Sequence, residues 1–252
     1  MVATGAGLIA TFTAIPFASA APAPRQIIEL LHRSKHGVPV DLSGATLAGF
    51  DLTSIDFKSA NLSHADLFGV NLSDANLAGT QLTKAWLDRA QVTRAEFSSA
   101  NLENANLLSL TVFTELERNH REAPRFAGAR MARSRLSGFL DYSDFRWSDL
   151  TDADFGHGGG AISLIGAKFA ESTCVRTRFG AAPLTFAHFA GADLREADLS
   201  GCELSQADFS DANVAGMNVA GADLHDAIFS GARGIDAIAG LDRARNSERV
   251  RS

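Results

Sequence analysis

Seven histidines, two cysteines and a dense set of carboxylates are foremost among the groups in this 252-residue chain able to move protons, hold metal or attack a carbonyl. An acid–base site needs an imidazole or carboxylate held against a second polar group, and a zinc site needs Cys and His at short fixed spacings. His32, His36, His64, His120, His157, His188 and His225 are scattered, and no nucleophile, base and orienting acid group among them. An enzyme using His157 or His188 with nearby carboxylates therefore lacks a convergent site. No zinc-type spacing occurs, and Cys174 and Cys202 fall at inward positions on opposite sides of the expected fold, so no disulfide is expected. Gly158-Gly159-Gly160 has the composition of a phosphate cradle, but no Lys-Ser/Thr follows and no strand-to-helix context surrounds it, which rejects a P-loop. Asp and Asn recur at five-residue spacings (Asp51, Asp56, Asn61, Asp66, Asn71, Asn76), where short polar side chains bond to turn backbone. That demand is structural, so these carboxylates are poor evidence for catalysis. No cofactor is expected.

What remains is the chemistry of contact. Phe68, Trp86 and Leu108 fall at outward positions on one expected wall and form a candidate apolar stripe, a kind of surface that often marks an interaction site. The charged segment 113–125 carries Arg118, Arg121 and Arg125, and Arg130, Arg133, Arg135 and Arg146 follow it, with Tyr142 and Trp147 as aromatic neighbours. A partner or phosphate can use such a basic patch, or neighbouring acids can neutralise it. Between Asp193 and Asp211 the balance reverses: Asp198, Glu203 and Asp208 belong to a belt of acids opposed by Arg195 alone. Assigned to walls, these acids go round the molecule. The formal charge of the whole chain is −6, which disfavours direct binding to nucleic acid phosphates.

The elements that must position these residues are read from a repeat. From Ala187 to Gly231 nine five-residue units run without a slip, with a mostly small residue first, usually a short polar or charged residue second and Leu, Phe or Val third. Fifteen more run from Val40 to Thr114. A period of five fits neither the helical 3.6 nor the strand 2. A chain turning about a right angle every five residues reconciles it, closing a square coil in twenty. A second period supports this: Leu42, Leu62, Leu82 and Leu102 form one column, and Phe169, Phe189, Phe209 and Phe229 another. The register breaks at 113–125, loses one residue between Leu136 and Leu140, and breaks again at 156–160. Thirty-six units make nine coils, a rod about 43 Å long at strand spacing.

These A(D/N)LXX units resemble the pentapeptide-repeat family over roughly residues 38–232. The resemblance implies an all-β, right-handed quadrilateral β-helix with short helical caps, and no shared reaction. It also implies two roles: a non-enzymatic scaffold binding an unidentified protein, or a DNA mimic that binds DNA gyrase, similar to the quinolone-resistance pentapeptide proteins. Those proteins are associated with dimers through C-terminal coils; here the arginine-bearing terminus puts that arrangement in doubt, and a homodimer is left open.

Residues 1–24 carry no charge and end in Ala18-Ser19-Ala20, a pattern suited to signal peptidase, so the leader reads as an export signal or a disordered apolar segment. Cleavage after Ala20 implies an exported, periplasmic protein; an intact leader implies a cytoplasmic one. Pro16 and Pro22 interrupt it, so no transmembrane span is expected. Residues 25–37 are expected to form a capping helix through Ile27, Ile28, Leu30 and Leu31, and 233–252 a C-terminal cap and tail.

Overall fold

The computed structural model describes residues 13–14, 24–33, 39–57, 59–112, 120–156, 160–248 and 250. They form a right-handed quadrilateral β-helix of nine coils, built from single-residue parallel bridges. One unit shows how five residues make one wall. Leu62 N–H donates to the Gln81 carbonyl of the next coil (2.6 Å), Gln81 N–H donates to the Ala60 carbonyl (3.0 Å), and His64 N–H donates to the Thr83 carbonyl (2.9 Å). Ala65 N–H closes the corner onto the Leu62 carbonyl (3.0 Å), with His64 in the left-handed region at φ 60°. Each corner thus satisfies its backbone groups without a helix or a long strand. The second-position Asp and Asn side chains hold the turns: Ser43 N–H donates to Asp41 Oδ1 (3.0 Å), and Ser63 N–H to Asn61 Oδ1 (3.1 Å).

We number the walls 1 to 4 in chain order from Val40. Their third-position side chains are buried, apart from the partly buried Val112, and form one core, with the small first-position residues filling the corners. Wall 4 carries seven stacked phenylalanines, Phe97, Phe126, Phe145, Phe169, Phe189, Phe209 and Phe229, with ring centroids 4.8 to 5.1 Å apart. Phe155 and Phe179 stack on wall 2 and meet this column edge to face.

The three irregular places are absorbed on wall 3 or at its border with wall 2. Register returns by Glu122, whose carbonyl accepts from Arg94 N–H (2.8 Å), so Arg125 stands in the ladder between Glu96 and Asp144. The sequence places Arg125 inside the interruption; the structure places it in coil four. Residues 113–119 of that interruption lie outside the described residues. The lost residue falls in the longest strands, β3 (Asn106–Leu110) and β4 (Arg135–Phe139), whose register shifts at Gly138. Residues 157–159 of the second interruption also lie outside the description.

Helix α1 (Pro24–Arg33) buries Ile27 and Leu31 against the core, and Pro24 suits its first turn. The sequence extends this helix to residue 37, but 34–38 lie outside the described residues. Within the leader, strand β1 (Thr13–Ala14) pairs in parallel with β2 (Val40–Asp41), the rung a preceding coil would supply. At the other end two 3-10 turns, Ile235–Ala237 and Leu241–Arg243, complete the cap with Ile238, Leu241 and Val250 buried. No helix among the described residues is long and apolar enough to cross a membrane.

Candidate docking surface

Wall 2 holds Phe68, Trp86 and Leu108 in three successive coils. Trp86 occupies the second position of its unit, between Asp66 and Asn106 in the ladder. Its backbone is bonded on both sides, N–H to the Ala65 carbonyl (3.0 Å) and carbonyl to Leu67 N–H (2.7 Å), so the indole is presented outward, 58% exposed. Phe68 is 46% exposed at the fourth position of its unit, and Asp66 Oδ1 accepts its N–H (3.1 Å). Leu108 is half-buried, with its N–H on Asp88 Oδ1 (3.0 Å). Asp88 falls between Phe68 and Leu108 in the fourth-position column. The expected stripe is therefore a triangle with a carboxylate on one edge, because two of its apolar members occupy one column and the third the other. The Arg89 guanidinium lies 5.6 Å from the Phe68 ring centroid, a cation–π contact that steadies the ring.

The remaining sequence candidates lie elsewhere. Trp147 is 59% exposed at the corner between walls 4 and 1, with the Arg146 guanidinium 4.8 Å from its ring centroid. Arg146 also binds Asp144 twice, Nε to Oδ1 at 2.9 Å and Nη2 to Oδ2 at 2.6 Å. Burial pushes the Asp144 carboxyl up, but the Arg146 hydrogen bonds and charge outweigh it and hold the carboxyl below its ordinary range. Arg125 pairs with Glu96 (3.1 Å), so part of the arginine patch is already neutralised by the rod itself. Arg121 is exposed and has a contact of its own, while Arg118 lies outside the described residues.

Asp198, Glu203 and Asp208 stand in one coil on walls 2, 3 and 4 respectively. Asp198 accepts from Ser200 N–H (3.1 Å) and Asn218 Nδ2 (3.0 Å), and Asp208 accepts from Ser210 N–H (2.9 Å). They ring the rod, as their positions in the repeat require.

Among the described residues no cluster of three potential metal ligands occurs. Cys174 and Cys202 are free and buried, and burial pushes both thiols up to about 12, far from the thiolate a nucleophile needs. His225 lies 3.4 Å from Asp226, both well exposed.

Three exposed apolar residues escape a reading of the sequence: Phe139, Phe186 and Ile228. Phe139 and Ile228 stand at second positions, where polar residues are the rule, and that exception was available as a signal. The deleted residue at Gly138 hides it for Phe139.

A family model described as pentapeptide repeats matches residues 40–74, 75–107, 162–201 and 202–233 in eight copies, more than half of the chain. The unmatched stretch between 107 and 162 contains the three irregular places. Among solved structures, HetL is a pentapeptide repeat protein involved in heterocyst differentiation regulation, from the cyanobacterium Nostoc sp. strain PCC 7120. It aligns at 24% identity over 84% of this chain and 97% of its own, with a TM-score of 0.34. A trypsin-treated form of QnrB1, a plasmid-mediated fluoroquinolone resistance protein, aligns at 18% identity over 76% and 84%, with a TM-score of 0.35. A pentapeptide repeat protein of the Arabidopsis thaliana thylakoid lumen aligns at 28% identity over 50% and 72%, with a TM-score of 0.27. No curated protein sequence matches this chain.

Proposed function

The chain belongs to the pentapeptide-repeat family, and from that premise we propose that it is a non-enzymatic rod that docks a protein partner on wall 2. The observation that carries this reading is the triangle of Phe68, Trp86 and Leu108, two of its members large, apolar and about half exposed on a wall whose backbone is fully laddered. Exposed aromatic anchors on a rigid face lose little entropy on binding. The test is quantitative affinity purification from the native host with the wild type and with Phe68→Ala plus Trp86→Ala. A partner lost with the double variant, at unchanged circular dichroism, supports the reading. An identical partner set sinks it.

The second reading, a DNA mimic engaging gyrase, draws on coil eight, where Asp198, Glu203 and Asp208 form no ion pair with any described residue. Their placement on three different walls weakens it, because a duplex-like face needs acids aligned along one side. Reversing all three to lysine should abolish gyrase inhibition if that reading is correct. The compartment follows the leader: cleavage after Ala20 makes the protein exported and removes the β1 rung, whereas retention keeps both the rung and the chain in the cytoplasm. Intact mass from separate cell fractions distinguishes the two.

A further inference from the structure

The charge around the wall 2 triangle differs from that on the rest of the rod. Among the described residues of coils two to eight, Arg121 has a contact of its own and every other arginine but two lies in an ion pair with a carboxylate of the rod. The two are Arg89 and Arg135, and both border the triangle. Arg89 stands three residues beyond Trp86 at the corner toward wall 3, and Arg135 follows Asn106 directly in the ladder, one coil beyond Leu108. Lys84, at the opposite corner of the Trp86 coil, likewise has no ion pair with a described residue and is exposed. Two carboxylates stand beside the apolar residues, Asp66 and Asp88, each accepting a backbone N–H with one oxygen and keeping its charge, so three cations face two anions on this wall.

An exposed cation is satisfied by water, but one covered by a partner needs a matching anion. From this we infer that the wall 2 partner is an acidic segment: a bulky apolar residue seats on Trp86, Phe68 and Leu108, and carboxylates on either side reach Lys84, Arg89 and Arg135. The inference rests on the docking reading above and sharpens it. It also opposes the gyrase reading in sign, because a DNA mimic engages a basic surface.

The test uses the full chain and three fluorescently labelled peptides of equal length: Leu and Phe alternating with Glu, the same with Lys for Glu, and the Glu peptide with Ser for Leu and Phe. Anisotropy titrations should show the Glu peptide binding about tenfold or more tighter than the other two. Arg89→Glu with Arg135→Glu should reverse the preference between the Glu and Lys peptides. Trp86→Ala should weaken the Glu peptide while leaving the protein's thermal melt in place. Equal binding of the Glu and Lys peptides, an unreversed preference, or no binding of either overturns the acidic partner. If the charge rule fails but Trp86→Ala still weakens binding, the docking reading stands alone. If charge reversal acts and Trp86→Ala does not, wall 2 is not the seat and both fall.

Discussion

At the scale of single residues, the fold is decided by which side chain each of five positions tolerates. Leu, Phe and Val point inward, small residues fill corners, and Asp or Asn tie down turns, so most of the core was legible directly in the chain. Gly138 was not, because its role depends on a strand 28 residues away. It adopts φ 128°, and a Cβ there would stand 2.3 Å from the Leu110 carbonyl oxygen. Gly138→Ala should therefore destabilise the rod by at least about 2 kcal/mol, read as a lowered urea midpoint. Asp193 makes a prediction in pH. Its carboxyl is hydrogen-bonded by Arg195 (Nη2 to Oδ2, 2.7 Å), which holds its affinity for protons below the ordinary value. A carboxylate depressed in the folded state adds stability above its unfolded value of about 3.9, and the gain is lost as pH falls through the folded value. Acid melts should show this loss below about pH 4 in the wild type, and Arg195→Gln should flatten that slope while lowering stability at neutral pH.

The element that carries most of the core's continuity is the phenylalanine column on wall 4. The regular twenty-residue spacing reveals Phe169, Phe189, Phe209 and Phe229, but Phe97, Phe126 and Phe145 are hidden behind spacings altered by the interruptions. Glu96 and Arg125, ladder neighbours beside those rings, are 29 residues apart. The column stays stacked across spacings of 29, 19 and 24 residues, since a break in the stack would forfeit both packing and aromatic contacts. Phe145 lies between two stacked rings and meets a third edge to face. Phe145→Ala should cost about 3–5 kcal/mol by urea denaturation, and Phe229→Ala, with one stacked neighbour and 9% exposure, distinctly less. The wall 2 triangle was legible in part: the twenty-residue spacing puts Phe68, Asp88 and Leu108 in one column, but only the structure shows Asp88 accepting the Leu108 N–H.

For the whole molecule, the open ends of a solenoid are its weak points. Helix α1 covers the first with Ile27 and Leu31, 0% and 2% exposed. Deleting residues 1–33 should leave the nine coils assembled by circular dichroism yet self-associating, which light scattering would register. A deletion mutant that stays monomeric would show that the first coil needs no cover. Net charge says little at this scale, because the −6 of the chain hides arginines paired to their own coil neighbours and, in coil eight, Asp198, Glu203 and Asp208 without an ion pair to any described residue.

The unequal coils also give the rod a mechanical signature. Pulled from its ends, a parallel ladder of this kind peels like thread from a square spool, one winding per event, because tension along the axis loads the rungs successively. A regular winding of twenty residues releases about 68 Å of chain. The 29-residue winding that reaches Arg125 and the 24-residue one that separates Asp154 from Arg178 should give visibly longer jumps. A force–extension trace would thus read the sites of insertion in order along the molecule, as steps of unequal length.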